Sequence, residues 1–406
     1  MHANSMPQRS LTISKSSIWQ FLMYVVMIGF TVIAYKKTDL TYLFARAIQG
    51  VQVLFLGYLL LSTLRQGKLR VSKYDLMVHL WWIIWLAITF YNQSEVWLTT
   101  IFNWMNVTIF LLIGQKYWRE DPQHSLKLLA SVFSCLVYLN VVLLILYPDG
   151  LWIDTTWVGT GDSTRYLFGN YNAMGVVCLC ALIVQSAYTF LSHRGYGNLF
   201  GLILVSLFTV IFVGSMTSTV GLSLIVLYII FHKQIKHPFV FIIAFFCIYI
   251  VFIVLIVFMG NSIEDYPAAL QFVENVLGKE ASFTTRTGIW IETIDLIMQR
   301  PWIGYGYQSV EWNAQQIGAS GPHNLWLEIM MYGGIVAVGG FILLIFKSTS
   351  SVYHSNSYAT IVVGVGLCVL LLMSLFETYS MILIFLVIQM TYYTTYFPQS
   401  STGKLC

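Results

Sequence analysis

The sequence predicts an all-α, polytopic membrane protein of about twelve transmembrane helices, with one large extracytoplasmic loop that carries short amphipathic helices. Three observations predict it. Of the 406 residues, 58% are hydrophobic and 9% are charged, against about 45–50% and about 25% in soluble domains, so most of the surface must meet lipid. Twelve apolar runs are candidates for membrane-spanning helices, each of which needs about 20 mostly apolar residues. One polar segment, 261–322, is far longer than an ordinary connection, and ordered segments of that length generally serve function. The expected organisation is a single integral membrane domain, 1–406, with that loop inside it.

The runs fall near 17–35, 43–64, 75–91, 96–115 and 126–147, then 171–192, 198–215, 217–232 and 238–260, and finally 323–346, 358–375 and 378–396. The first lacks a small-residue cleavage site and is expected to stay as an anchor. The seventh and eighth are separated only by the tight turn "GSMTST". Orientation follows from the loop lysines and arginines. With a cytoplasmic N-terminus, most of them, including Arg65, Arg119, Lys233 and Lys347, fall on the cytoplasmic side. The outer side holds only Lys36, Lys37, Arg165, Lys279, Arg286 and Arg300, and Arg46 lies within the second span. An even number of spans then puts both termini in the cytoplasm.

Two outer loops result, 148–170 and 261–322. Within the second, "TRTGIWIETIDLIMQR" reads as an amphipathic helix with Trp290, Ile294 and Ile297 on one stripe and Arg286 a turn earlier on the same side. Pro301 ends it, and Gly304 and Gly306 permit sharp turns.

Several chemistries find no support. Five of the six cysteines lie in apolar runs and the sixth is the last residue, which suits packing rather than a disulfide or metal site. No P-loop, zinc motif or nucleotide-binding glycine fingerprint occurs. The basic residues form no patch, so nucleic acid is not an expected partner. No cofactor and no metal are expected.

The candidate residues crowd the outer side. His323 is the only histidine expected there and hence the only outer imidazole for acid–base work; alternatively, His323 and Asn324 cap the tenth helix. Arg165 and Arg286 lie near a membrane edge, where a cation calls for an anion. A lipid diphosphate would suit the guanidinium fork, and a local carboxylate such as Asp162 or Glu292 is the plainer partner. Arg300, beside Pro301, suits a structural place in the loop as well as substrate binding. Glu377, in "SLFETYS", is either a solvated turn residue or a group that orients a base or holds a sugar hydroxyl. Glu328 lies about a turn into the tenth helix, where a carboxylate is unusual. Trp152, Trp157, Trp290, Trp302, Trp312 and Trp326 form an interfacial belt or offer platforms for sugar rings.

At this point "TRTGIWIETIDLIMQRPWIGYGYQS" followed by "GPHNLWLEIMMYGG" resembles the O-antigen polymerase and ligase superfamily of bacterial membrane glycosyltransferases. The resemblance rests on Arg286, Trp290, Pro301, Gly304, Gly306, His323, Asn324, Gly333 and Gly334. A weaker match is "TRYLFGNYNAMG", with Arg165, Gly169, Asn170 and Asn172. "SMTSTVGL" sits where many members carry an arginine in a serine-rich turn, and this chain has none there.

The resemblance implies a multi-pass protein of the bacterial inner or cytoplasmic membrane that takes a polyprenyl-diphosphate-linked glycan as donor. It implies transfer of the glycan, by its reducing end, to a sugar hydroxyl without a metal, with His323, Arg286 and Arg165 as catalytic residues. Asn170, Asn172, Trp290, Arg300, Tyr305, Asn324 and Glu377 are the candidates for holding substrate. A polymerase would use another lipid-linked repeat unit as acceptor, with a chain-length regulator as a possible partner. A ligase would use a lipid or protein acceptor. A lipid-linked glycan transporter is the reading from another class. It fits less well, because transporters place charge near the bilayer midplane and these spans are nearly free of it.

Overall fold

The computed structural model describes residues 15–34, 36, 38–67, 71–154, 163–235, 282–353, 355 and 357–398. The chain runs through α1 (Lys15–Tyr24, extended by a π turn, Val25–Gly29), α2 (Asp39–Arg65), α3 (Lys73–Tyr91), α4 (Trp97–Ile113, with a π turn Gly114–Trp118) and α5 (Pro122–Leu146). A hairpin of β1 (Trp152–Asp154) and β2 (Ser163–Arg165) follows. Then come α6 (Tyr171–Ser192), α7 (Tyr196–Phe212), α8 (Met216–Phe231), α9 (Ser282–Gln299), α10 (Val310–Ile317), α11 (Leu325–Tyr353), α12 (Tyr358–Met373) and α13 (Met381–Tyr393). The fold is all-α apart from that hairpin, as the composition predicts.

Among the described residues six helices are long and apolar enough to cross a membrane: α2, α3, α4 with its π turn, α5, α6 and α11. The other apolar stretches, at α1, α7, α8, α12 and α13, are of 10–17 residues. Length alone therefore does not yield twelve spans. The ninth expected span, 238–260, and the first part of the large loop, 261–281, lie outside the described residues.

Helix ends follow local chemistry. Thr38 and Ser72 close capping boxes on α2 and α3, Asp121 caps α5 with Pro122 in its first turn, and Asn170 caps α6. Such caps matter more in lipid, where no water meets an orphaned N–H. The centre is α6, apolar on every side and buried throughout Met174–Ala187, as a fully enclosed helix should be. It packs against α5, α7, α8 and α12. Opposite in character is α2, which leaves Leu43, Leu54, Leu61 and Leu64 exposed, an apolar surface suited to lipid.

Long-range hydrogen bonds sort the helix ends into two groups. At one end Ala34 N donates to Leu167 O at 2.8 Å and Leu325 N to Ser374 O at 2.8 Å, while Tyr307 N donates to the Thr89 hydroxyl at 3.1 Å. The other end is tied by Lys116 Nζ to Ser62 Oγ at 2.6 Å, Trp118 Nε1 to Tyr24 Oη at 2.6 Å and Ser351 Oγ to Thr391 O at 3.1 Å. The first end gathers residues 147–154 and 163–170, the turn 213–215, the segment 282–324 and the turn 374–380.

The hydropathy of 323–346 predicts one uninterrupted helix. Instead α11 is broken at Gly334, whose backbone (φ 61°, ψ −167°) is non-helical. The loop after α9 supplies what the break removes. Tyr305 N and Gly306 N donate to the carbonyls of Met331 and Tyr332 (3.0 and 2.7 Å), and Ile335 N donates to Pro301 O at 2.9 Å. Apolar surroundings tolerate a broken helix only where other protein groups satisfy the freed backbone. The "PWIGYG" stretch is that complement. Gly306 is also pressed on α3, where an added Cβ would lie 2.7 Å from Thr89 Cα.

Candidate active site at one end of the bundle

The turn between α12 and α13 carries Glu377, which is buried. Its two oxygens have different partners. Oε1 lies 2.7 Å from His323 Nδ1. Oε2 takes Arg286 Nη2 at 3.3 Å and a hydrogen bond from Asn172 Nδ2. Arg286 Nη1 also donates to Phe376 O at 2.7 Å. A second layer stands behind Asn172: the Ser215 hydroxyl donates to Asn172 Oδ1 at 2.9 Å, and Ser218 Oγ lies 2.7 Å from Ser215 Oγ. One carboxylate thus joins α6, α9, the start of α11 and the α12–α13 turn.

Each side chain has a local reason for its place. His323 has φ 49°, a left-handed backbone uncommon outside glycine, directly ahead of α11. Asn324, fully buried, does the capping: its Oδ1 accepts from Trp326 N and Leu327 N at 3.0 and 3.2 Å. The cap therefore belongs to Asn324 and leaves the His323 ring free to face Glu377. The loop entering His323 is held by the buried Trp290, whose Nε1 donates to Pro322 O at 2.9 Å. On α9 the stripe of the sequence reading is present, with Trp290, Thr293, Leu296 and Ile297 buried and Ile294 partly so.

Burial alone would push the Glu377 carboxyl up. The hydrogen bond and charge of His323, the charge of Arg286 and the Thr378 N–H outweigh it and hold the group below the ordinary glutamate value. Glu377 is therefore ionised at neutral pH and can only accept. It follows that His323 Nδ1 carries the hydrogen of their bond. When the ring is neutral, Nε2 holds the lone pair.

The other candidates contact groups other than Glu377. Arg165, at the end of β2, pairs with Asp154 on β1, Nε and Nη2 lying 3.2 and 3.0 Å from Oδ2. Asp162 and Trp157 lie outside the described residues. Asn170 accepts from Ala173 N at 3.0 Å and so fixes the first turn of α6, two residues before Asn172. Arg300 Nη1 donates to Asn92 Oδ1 at 2.6 Å, and its guanidinium lies 4.9 Å from the centre of the Tyr305 ring. The Tyr305 hydroxyl donates to Leu296 O at 3.2 Å. Asp154, Ser215 and Ser218 were not singled out in the sequence. Polar residues clustered between two apolar runs, "GSMTST", were the available signal for the serines. Among the described residues no group of three or more His, Cys, Asp and Glu side chains could hold a metal.

No curated protein matches the chain. Residues 201–344 match the family model described as O-antigen ligase. That stretch contains Ser215, Arg286, His323 and the break of α11 at Gly334 with its complementary loop, while Asn172 and Glu377 lie outside it. His323, Arg286 and the Pro301–Gly306 turn have the order that the sequence resemblance rests on, and the match over 201–344 is consistent with the O-antigen polymerase and ligase superfamily.

Proposed function

We propose that the protein transfers a glycan from a polyprenyl-diphosphate carrier to a sugar hydroxyl, at the outer face of a bacterial inner or cytoplasmic membrane, with both termini in the cytoplasm. The observation that carries this reading is the contact of His323 Nδ1 with the ionised Glu377, 2.7 Å, beside Arg286. His323 Nε2 takes the proton of the acceptor hydroxyl, and the oxygen attacks the anomeric carbon. The bond from that carbon to the diphosphate oxygen breaks, and polyprenyl diphosphate leaves with the electron pair. A single displacement of this kind inverts the anomeric centre. Charge gathering on the leaving diphosphate is met by Arg286, joined by Arg165 from the β hairpin.

The first product proposed is a surface polysaccharide built from lipid-linked repeat units. The family description favours a second reading, an O-antigen-type ligase that moves the lipid-linked glycan to a lipid or protein acceptor. One experiment separates them. Purified protein in detergent receives lipid-linked repeat unit extracted from the producing cells. A ladder of products marks a polymerase. A single adduct formed only with an added acceptor marks a ligase. No product under either condition overturns the transfer reading.

Two expected results test the geometry behind it. Arg286→Lys keeps the charge but cannot serve Phe376 O, Glu377 and a phosphate together through a planar fork. Turnover should fall at least about tenfold, an effect of the size expected for one charge-stabilising donor; unchanged turnover would remove Arg286 from the reaction. A cysteine placed at position 310 should react with an impermeant reagent from outside the cell. Labelling only after the membrane is opened would invert the topology.

A further inference from the structure

A second concave site lies on the same end of the bundle, away from His323. Tyr91, Asn92 and Gln93 at the end of α3 face Gln299, Arg300, Pro301, Trp302 and Ile303 after α9, around a pocket of ≈ 730 Å³. That volume is within the range of ligand sites, about 300–1,000 Å³. The two walls are fixed to each other. Arg300 bridges them by its 2.6 Å bond to Asn92. Ser94 Oγ donates to Tyr307 O at 2.5 Å, and Gly306 lies against Thr89. Gln93 has φ 53°, a left-handed corner at the pocket edge. Trp302 and Tyr91 are 69% and 74% exposed, although Trp302 belongs to the loop that is locked into the break of α11.

The chemistry of the lining selects its ligand. Two primary amides, Gln93 and Gln299, carry both donors and an acceptor, the pattern that matches hydroxyl groups, while Asn92 is held by Arg300 and by Ile88 O. The two exposed rings offer flat apolar faces for the C–H face of a sugar. The lining has a single cation, Arg300, already engaged by Asn92 and stacked on Tyr305, whereas a lipid phosphate at a membrane edge calls for several donors of charge. Position agrees. From Arg286 to Gln299 the rise along α9 is about 20 Å, so a glycan whose reducing end reacts beside Arg286 can place sugars several units away in this pocket.

We infer that the pocket between the α3 end and the 299–303 loop is a distal glycan-binding subsite, which holds the oligosaccharide far from the bond being made and so sets how long a chain is kept on the enzyme. This inference rests on the glycan-transfer reading of the His323 site. Its test has a binding arm that does not depend on turnover. Short oligosaccharides cut from the producing cells' own surface polysaccharide are titrated into the full-length protein in lipid nanodiscs, followed by calorimetry. Trp302→Ala should weaken binding on the order of tenfold, as for loss of one aromatic anchor, and Trp302→Phe, which keeps a ring face, should restore most of it. Gln93→Ala should weaken it less.

In the transfer assay the Trp302→Ala product should be shorter, with the first transfer still made. Equal binding by wild type and Trp302→Ala, or no binding by wild type, overturns the subsite even if wild type makes polymer. A Trp302→Ala protein that binds normally but is lost from the membrane makes Trp302 an interfacial anchor and likewise overturns it. Absence of any transfer by wild type, with oligosaccharide binding still sensitive to Trp302, rejects the transfer reading and leaves a glycan site.

Discussion

Glu377→Gln should lower turnover by about 10²–10⁴, nearly as much as His323→Ala, while leaving donor binding within a few fold. The substitution is almost isosteric, so the loss would report chemistry and not packing. Glu377 now accepts on both oxygens: from His323 on Oε1 and from Arg286 and Asn172 on Oε2. A glutamine must turn its –NH₂ toward one of them. Facing His323, the amide donates to Nδ1, forces the hydrogen onto Nε2 and removes the base. Facing Arg286 and Asn172, it sets donor against donor and releases the guanidinium. Either orientation disables one half of the site.

On the proposed roles both residues act in one unit, so the double variant should be hardly worse than either single one. Single-turnover rates with lipid-linked repeat unit, alongside donor binding, provide the check. Additive losses, or near-normal turnover in Glu377→Gln, would show that the carboxylate does not act through His323. The sign of the pH effect follows from the same contacts. With its value depressed, Glu377 keeps these bonds at and above the ordinary glutamate value of 4.5. The stability they contribute is lost as pH falls through the depressed value.

The parts of this site that lie close together in sequence were legible there. His323 and Asn324 at the edge of an apolar run, Arg286 one turn before Trp290, and the Pro301–Gly306 turn all stand in one stretch whose periodicity and turn residues have local causes. What sequence could not place was pairing across the chain. Asn172 and Glu377 are 205 positions apart, and nothing in the period of α6 reveals that Asn172 meets the turn carrying that carboxylate. Arg165 illustrates the converse. Its partner Asp154 is only 11 positions away, but the strands that pair them are three residues each, too short for an alternating pattern to register. The division of labour between His323 and Asn324 was also hidden. Both types can stand before a helix, and the bonds from Trp326 N and Leu327 N to Asn324 Oδ1 show that Asn324 holds the cap.

The same limit applies to α11, whose unbroken hydropathy conceals the bend at Gly334, and this glycine carries the largest expected effect on folding. At φ 61° and ψ −167° it occupies a region essentially closed to other residues, costing about 1–3 kcal/mol for a side chain. An added Cβ would also overlap the carbonyl of Trp302, pushing out the loop that satisfies Met331, Tyr332 and Ile335. Each backbone group left unpaired there costs about a further 1–3 kcal/mol. Gly334→Ala should therefore cost roughly 3 kcal/mol or more, a large share of a total stability of about 5–15 kcal/mol. Monodisperse protein recovered in detergent should drop sharply, with a lower thermal midpoint. Gly339, five residues on, supplies the internal control. It is helical and a Cβ there meets nothing within 4 Å, so Gly339→Ala should be neutral or slightly stabilising by helix propensity. Equal behaviour of the two variants would mean that the helix can close through Gly334. The "PWIGYG" loop would then not depend on the break, and the placement of His323 ahead of the first segment of α11 would need another cause.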